Sequence, residues 1–185
     1  MREPEDTSPA IQSGDESATL ERTIPPLCRD VLSELDSRVS VPTYDLNSVT
    51  RGIAHIGVGG FHRSHQAVHV DNLLERGFAR DCGIVGIGLM PQDRAMRDAL
   101  RQQDYLYSVV VKCADGTIVP RVVGSIIDYL LADDDPDAVL EALADPAIRI
   151  VSLTITEGGY HADQVTGELV LDDALRADLA ADARL

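Results

Sequence analysis

A short apolar segment, a glycine-rich turn and a helix-forming segment follow one another directly between residues 52 and 77. The segment IAHIG (53–57) has the length and composition of a buried strand, and VGGF follows it as a turn. HRSHQAVHVDNLLERG (62–77) then has the pattern of a single helix, which Gly77 would end as a C-cap. A strand, a glycine turn and a helix in this order predict a unit of a parallel α/β sheet.

The same alternation of strands and helices continues along the chain. CGIVGIGL (82–89) is an uninterrupted apolar run, which is typical of a strand buried on both faces of a parallel sheet. IRIVSLTITE (148–157) is a further apolar strand, and the Asp-Gly pair at 115–116 predicts a hairpin between YLYSVVVK and TIVPRVVG. The predicted helices are PQDRAMRDALRQQ (91–103), DPDAVLEALAD (135–145) and LDDALRADLAADARL (171–185).

These elements predict an α/β fold of the Rossmann type, with a doubly wound sheet that is incomplete. A dinucleotide-binding fold has two mononucleotide halves, and this chain supplies little more than one. Residues 1–40 predict an acidic leader, expected to be disordered to about residue 18, and a short helix LCRDVLSELDSRV (27–39). Residues 41–185 predict the N-terminal part of the dinucleotide-binding domain, truncated because the sequence stops inside a helix-forming segment.

Charge and cysteine content argue against several classes of protein. The formal net charge of −15, from 31 acidic and 16 basic residues, disfavours binding to nucleic acid or to anionic membranes. No apolar stretch approaches the ~20 residues that a membrane span needs, and the first residues lack the apolar core of a signal peptide. Cys28, Cys82 and Cys113 are far apart, which argues against disulfides and thiolate metal sites. We therefore expect a cytoplasmic protein, and the sequence indicates no oligomeric state.

The glycine turn has the position of a dinucleotide-binding loop, between a strand and a helix. Gly57 would allow the tight turn, Gly59 would let the backbone approach a pyrophosphate, and the start of the helix would present free N–H groups to the phosphates. His62 stands where GxGxxG has its third glycine, so a plain strand-to-helix turn is the alternative interpretation. The predicted cofactor-binding residues here are Ile56, Gly57, Val58, Gly59, Gly60, Phe61, His62 and Arg63.

The first turn of the predicted helix is basic. A cation there opposes the helix dipole by roughly 0.3–1 kcal/mol, so His62 and Arg63 favour an anion nearby, although a solvated arginine is the alternative. His62, His65 and His69 have the spacing of one helix face, but no acidic residue or cysteine is close enough in sequence to complete a metal site. We predict that no metal is bound.

Two acidic residues follow predicted strands. Asp93 comes after CGIVGIGL, where a carboxylate can bind the adenosine ribose and repel a 2′-phosphate, which favours NAD over NADP. A helix N-cap is its alternative role, and the adjacent Arg94 could contact the adenine or a phosphate. Glu157, in TITEGGY, follows the last strand and could face the nicotinamide or the substrate, or be a solvated loop residue.

Several segments together resemble the long-chain, zinc-independent mannitol dehydrogenase family. The resemblance runs from about residue 41 to about residue 179 and implies NAD-linked oxidation of a polyol to a ketose, of the D-mannitol to D-fructose type. It implies that Gly57 and residues 59–63 form the cofactor loop. It also implies that Asp93 binds the ribose and that Glu157 lies in the active site. The segments are GIAHIGVGGFHRSHQA (52–67), GIGLMPQDRAMRDAL (86–100), QDYLYS (103–108) and VSLTITEGGYHAD (151–163).

The resemblance also implies parts that this sequence does not contain. The family's catalytic lysine, which would be the general base, and its mostly helical C-terminal domain belong to later parts of a family member. We therefore expect the 185 residues to bind the cofactor and to have no or negligible dehydrogenase activity. Arabinitol dehydrogenases and hexuronate reductases share the same plan and remain alternatives, as does a non-catalytic nucleotide-binding module.

Overall fold

The computed structural model describes residues 26–155, 157–163 and 165–182. The predicted leader up to residue 25 lies outside the described residues. Four strands form a parallel sheet and two form a separate antiparallel hairpin. The six strands are β1 (Arg51–Ile56), β2 (Gly83–Gly88), β3 (Tyr107–Lys112), β4 (Ile118–Val123), β5 (Ile126–Leu131) and β6 (Ile150–Leu153).

The parallel sheet has the strand order β5-β2-β1-β6. The chain builds outward from β1 through β2 to β5 and then returns to place β6 on the other side of β1. This is the order of the first four strands of a doubly wound nucleotide-binding sheet, and its switch point lies between β1 and β6. The order confirms the predicted Rossmann-type α/β class.

Five α-helices accompany the strands in the described residues, with short 3-10 segments between them. Asp135 begins one helix by accepting a hydrogen bond from the backbone N–H of Ala138 at 2.9 Å, and Pro136 occupies the first helical position. The helices are α1 (Gly60–Ser64), α2 (Gln66–Glu75), α3 (Arg94–Gln102), α4 (Pro136–Ala144) and α5 (Asp173–Asp182). The 3-10 segments are Arg29–Glu34, Leu46–Ser48, Pro91–Asp93 and Glu157–Tyr160.

Both faces of the parallel sheet are covered, so all six residues of β2 are buried. On one face, Ile53 of β1 and Ile84 of β2 pack with α2, α3 and the hairpin. On the other face, Ala54 and Ile87 pack against Val139 of α4. This double burial is the reason that β2 appears in the sequence as a continuous apolar run rather than an alternating one.

The helix predicted over residues 62–77 is wrong in one respect, because it is broken at His65. His65 has φ −121° and ψ −85°, and its ring Nδ1 lies 2.9 Å from the carbonyl oxygen of Phe61. The hydroxyl of Ser64 donates to the carbonyl of Gly60 at 2.7 Å. These side chains compete for the carbonyls of the first turn, and this competition accounts for the break. As a result, His62 is buried while His65 and His69 are exposed, so the three do not share a face.

Two other predictions also differ from the structure. Within residues 27–39, the predicted helix is only the 3-10 segment Arg29–Glu34. β5 was not predicted, because it follows β4 after only Gly124 and Ser125, so that one apolar run covers two strands of different sheets. A Cβ on Gly124 would lie 2.6 Å from the terminal methyl carbon Cδ2 of Leu46, so a larger residue where the chain passes between the sheets would have to displace this side chain.

No helix in the described part of the chain combines the length and the apolar character that crossing a membrane requires.

Candidate cofactor-binding site

The glycine loop leaves the sheet at its carboxyl edge, beside the switch point. The N–H of Gly57 donates to the carbonyl of Ile87 at 2.9 Å, and the N–H of Thr154 donates to the carbonyl of Ile56 at 3.0 Å. These bonds tie the end of β1 to its neighbours on both sides. Gly57 has φ +90°, and a Cβ there would lie 3.4 Å from the carbonyl oxygen of Thr154. The turn therefore requires glycine at position 57 for reasons internal to the fold.

Gly59 and Gly60 are glycines without such an internal reason. Nothing lies within 4 Å of a Cβ built on either residue, and Gly59 has an ordinary φ of −86°. The fold itself would accept a side chain at both positions. Because they lack side chains, Gly59 and Gly60 leave a stretch of backbone exposed, and a ligand can approach it closely. This stretch lies next to the exposed ring of Phe61.

His62 occupies the place of the third glycine, and its ring is buried against β1. It stacks on the ring of His55 with a centroid distance of 3.5 Å and an interplanar angle of 12°. Its Nδ1 lies 3.1 Å from Oε1 of Gln66, whereas its buried Nε2 has no hydrogen-bond partner among the described residues. Burial, with a smaller contribution from His55, lowers the pKa of His62 to about 4, so the ring is neutral at pH 7.

His55 connects the loop to β6, and the sequence analysis did not identify it. Its Nε2 lies 3.2 Å from the carbonyl oxygen of Gly57 and 3.0 Å from Oγ1 of Thr154, and its Nδ1 lies 2.8 Å from Oγ of Ser152. Burial lowers the pKa of His55 as well. The signal available in the sequence was a lone histidine inside an otherwise apolar strand.

Arg63 lies between the loop and the hairpin. Its Nε donates to the carbonyl of Gly59 at 3.3 Å, and its guanidinium lies 5.8 Å from the ring centroid of Tyr107. The hydroxyl of Tyr107 donates to the carbonyl of Arg63 at 2.7 Å. Of the remaining predicted loop residues, Val58 is buried beneath the loop and Ile56 is half-buried at the end of β1.

Asp93 closes the turn that follows β2. Its Oδ2 accepts hydrogen bonds from the backbone N–H groups of Leu89 and Met90, both at 3.0 Å. A Cβ on Gly88 would lie 2.6 Å from the Cβ of Asp93, so the close approach of Asp93 to the strand end depends on this glycine. The side chains of Leu89 and Met90 are about half exposed and form an apolar surface beside the carboxylate.

Arg94 meets two carboxylates from the loop after β5. Its Nη2 lies 2.9 Å from Oδ2 of Asp133 and 2.6 Å from Oδ1 of Asp134. Hydrogen bonds to Asp134 and then Asp133 raise the pKa of Arg94 above its ordinary value. The structure thus places this residue at the same edge of the sheet as Asp93, with its guanidinium already paired.

Glu157 is the first residue of the 3-10 segment Glu157–Tyr160, which follows the carboxyl end of β6. Its side chain lies outside what the structure describes. The carboxyl ends of β1, β2 and β6 thus bring the glycine loop, Asp93 and the backbone of Glu157 to one edge of the sheet. Within the described ranges, no three His, Cys, Asp or Glu side chains are grouped to hold a metal ion.

Comparisons with known proteins agree with this geometry. Residues 51–182 match the family model described as the mannitol dehydrogenase Rossmann domain. A mannitol 2-dehydrogenase of Pyrenophora tritici-repentis is 50% identical over 151 residues, which cover 82% of this chain and 26% of that protein. A polyol:NADP oxidoreductase of Gluconobacter oxydans is 46% identical over 156 residues, which cover 83% of this chain and 32% of that protein.

Solved structures give the same result. A structure of Pseudomonas fluorescens mannitol 2-dehydrogenase, in ternary complex with NAD and D-mannitol, matches with a TM-score of 0.75 and 47% identity. A D-sorbitol dehydrogenase in substrate-free form matches with a TM-score of 0.72 and 44% identity. Each match covers 83% of this chain and 32% of the other. The chain therefore spans about a quarter to a third of the length of the relatives that it matches.

Proposed function

Since this chain belongs to the mannitol dehydrogenase family and matches the model of its Rossmann domain over residues 51–182, we propose that it is the NAD-binding portion of a polyol dehydrogenase. The reaction of the whole enzyme would be hydride transfer between the nicotinamide and a secondary alcohol, of the D-mannitol to D-fructose type. The main support for this proposal comes from the glycine loop. The backbone of Gly59 and Gly60 is exposed at the switch point although nothing in the fold excludes a side chain there.

The residues at the carboxyl edge of the sheet fit the chemistry of NAD. The glycine loop offers a backbone that a pyrophosphate can approach, and Asp93 offers a carboxylate for the adenosine ribose. Within the described residues, Oδ1 of Asp93 accepts no hydrogen bond, while Oδ2 is occupied by two backbone N–H groups. Bound NAD would accept the hydride from the alcohol. Residues 56–63 and Asp93 would hold and orient the cofactor, with Arg94 near its adenine or a phosphate and Glu157 toward the substrate.

The 185 residues would bind the cofactor without performing the reaction at a useful rate. The sequence contains one lysine, Lys112, which pairs with Ile118 at the far end of the hairpin, beside its turn. Lys112 is therefore not available as a general base at the carboxyl edge of the sheet. Loss of a positioned acid–base group typically lowers the rate by about 10²–10⁴-fold.

The substrate class is a small polyol or the corresponding ketose. D-Mannitol is favoured by the ternary complex of the Pseudomonas fluorescens enzyme, and D-sorbitol is a second candidate because the D-sorbitol dehydrogenase matches almost as well. Arabinitol, which is also a polyol, and hexuronates, which are sugar acids, are the alternative substrates. The cytoplasm is the proposed compartment, in keeping with three free cysteines.

Asp93 provides the test of the cofactor assignment. In a fluorescence titration, we expect the unaltered chain to bind NADH at least about tenfold more tightly than NADPH, a difference of about 1.4 kcal/mol. Asp93→Asn should narrow this difference, because it removes the charge that repels a 2′-phosphate but keeps an acceptor for the turn. Asp93→Ala should narrow it too and also lower the melting temperature, because Leu89 and Met90 lose their acceptor. Equal affinity or a preference for NADPH in the unaltered chain would show that the assignment is wrong.

A further inference from the structure

We propose that Asp133 and Asp134 are specificity-determining residues, which help to exclude NADP by holding Arg94 away from the 2′-phosphate position and by adding negative charge there. The proposal rests on the proposed NAD-binding function and deepens it. These two residues directly follow β5, whose neighbour in the sheet is β2, so their loop lies beside the turn that contains Asp93.

Arg94 is the residue that could otherwise accept a 2′-phosphate. It follows the ribose-binding position directly, and in NADP-binding Rossmann domains an arginine near this position accommodates the phosphate. The planar guanidinium suits phosphate and carboxylate oxygens equally well. Here its Nη2 is shared between Asp133 at 2.9 Å and Asp134 at 2.6 Å, so a phosphate would have to compete with two carboxylates that are already in place.

The charges linked to Arg94 leave this corner of the site negative. Arg97 pairs with Asp98 at 2.8 Å and also with Asp134. With Asp93, the corner has four carboxylates and two guanidiniums, which leaves a net charge of −2. Hydrogen bonds from Arg94 lower the pKa of Asp134, so this carboxylate stays ionised at neutral pH. A 2′-phosphate, with nearly two negative charges of its own, would be repelled.

The two carboxylates are exposed enough to be changed without unfolding the protein. The side chains of Arg94, Asp133 and Asp134 are 44%, 41% and 35% exposed. Ion pairs at such exposure contribute little to stability. Arg97 is only 12% exposed, but it keeps its ion pair with Asp98 when Asp134 is changed. Asp133→Asn with Asp134→Asn should therefore keep the melting temperature of the unaltered chain.

The test is a titration of this double variant with NADH and NADPH. We expect its Kd for NADPH to fall about five- to tenfold, as removal of like charges at this range predicts, while its Kd for NADH stays within about twofold. The matched control is Asp30→Asn with Glu34→Gln, which removes the same charge from exposed positions of the 3-10 segment Arg29–Glu34. The N–H of Arg29 donates to Asp104 beyond the far end of α3, so the segment that carries the control charges begins at the opposite end of this helix from Arg94.

Two further measurements separate the role of Arg94 from a general change of charge. Adding Arg94→Ala to the double variant should abolish most of the gain in NADPH affinity. Raising the salt concentration should narrow the preference for NADH in the unaltered chain more than in the double variant.

An unchanged Kd for NADPH, an equal gain in the control, or a gain that fully survives Arg94→Ala would overturn the proposal. Failure of the proposed function is a different result, because it is seen in the unaltered chain itself, which would then bind neither dinucleotide or would bind NADPH at least as tightly as NADH.

Discussion

The three glycines of the loop, at positions 57, 59 and 60, differ in what requires them: the fold itself in one case and a bound ligand in the other two. Gly57 is required by its own backbone, with φ +90° and a neighbouring carbonyl at 3.4 Å from the missing Cβ. Gly59 and Gly60 have open space around them, so only a ligand would exclude a side chain there. Stability and cofactor affinity should therefore respond differently to substitution along the loop.

Gly57→Ala should lower the free energy of unfolding by about 1–2 kcal/mol, because alanine at positive φ is strained.

Gly59→Ala should leave stability unchanged or slightly higher, yet weaken NADH binding about tenfold or more, because its methyl group would occupy the ligand's side of the backbone. Urea denaturation and NADH titration measure the two quantities. Gly116→Ala is the control for strain alone, since Gly116 has φ +85° at the hairpin turn. Unaltered NADH affinity in Gly59→Ala would contradict the assignment of the loop.

The buried imidazole of His62 predicts a pH dependence of stability. Its pKa of about 4 is below the ordinary value of 6.5, so between these values the unfolded chain binds more protons than the folded one. The contribution of His62 to stability is therefore fully present above pH 6.5 and is lost as the pH falls toward 4, and it amounts to about 3 kcal/mol at most. His55 acts in the same direction.

Urea denaturation at pH 7.5 and pH 5 tests this prediction with His62→Phe, which keeps an aromatic ring against His55 and cannot be protonated. The variant should lose a large part of the difference between the two pH values. His69→Gln, at an exposed position of α2, should keep the full difference. An identical pH dependence in His62→Phe and the unaltered chain would contradict the prediction.

At the scale of whole elements, one buried carboxylate joins α2 to the hairpin and to the segment that precedes β1. The side chain of Asp71 is fully buried, and its Oδ1 accepts hydrogen bonds from the hydroxyl of Tyr44 at 2.6 Å and the N–H of Gly124 at 2.9 Å. Its Oδ2 pairs with the guanidinium of Arg121 from β4, which also donates to Asn72 at 2.7 Å. This junction holds the hairpin next to α1, where the hydroxyl of Tyr107 donates to the carbonyl of Arg63.

Asp71→Asn should destabilise the fold by about 3–5 kcal/mol, because it leaves the guanidinium of Arg121 partly buried without its counter-charge. The matched control is Asp81→Asn, which breaks an exposed ion pair with Arg149 and should leave the urea midpoint nearly unchanged. Equal effects of the two variants would show that the buried pair does not join these elements.

Across the protein as a whole, the two edge strands of the parallel sheet differ in exposure. Among the described residues β5 and β6 each pair with one strand, but every residue of β5 is buried or half-buried, whereas β6 is largely exposed. Ile150, Val151 and Leu153 of β6 are each about half exposed. An unpaired apolar strand of this kind is a template for pairing with another chain.

We therefore expect the isolated 185-residue chain to aggregate as its concentration rises. Val151→Lys should reduce light scattering at a given concentration, because a charged residue on an edge strand opposes edge-to-edge pairing. The control is Leu140→Lys on α4, which places the same charge at a site that is 63% exposed and away from the edge. If both variants reduce scattering equally, net charge and not the β6 edge controls aggregation.

Elements whose evidence is local could be predicted from the amino-acid sequence alone. An apolar run, a glycine turn and a helical period are properties of neighbouring residues, so β1, β2, the hairpin and the position of the glycine loop could be predicted. The rule that ligands bind at the carboxyl edge of parallel strands then brought the loop and the turn with Asp93 together. Local evidence failed where one apolar run served two sheets, which is why β5 was missed.

Which side chains come into contact depends on the folded structure and could not be predicted. The stack of His62 on His55, the pairing of Arg94 with Asp133 and the burial of Asp71 against Arg121 join residues that lie 7, 39 and 50 positions apart. No local pattern encodes such contacts, because they depend on how strands and helices are placed in space. Burial then sets the chemistry of each group, since the same imidazole is neutral beneath the loop at His62 and free to meet solvent at His69.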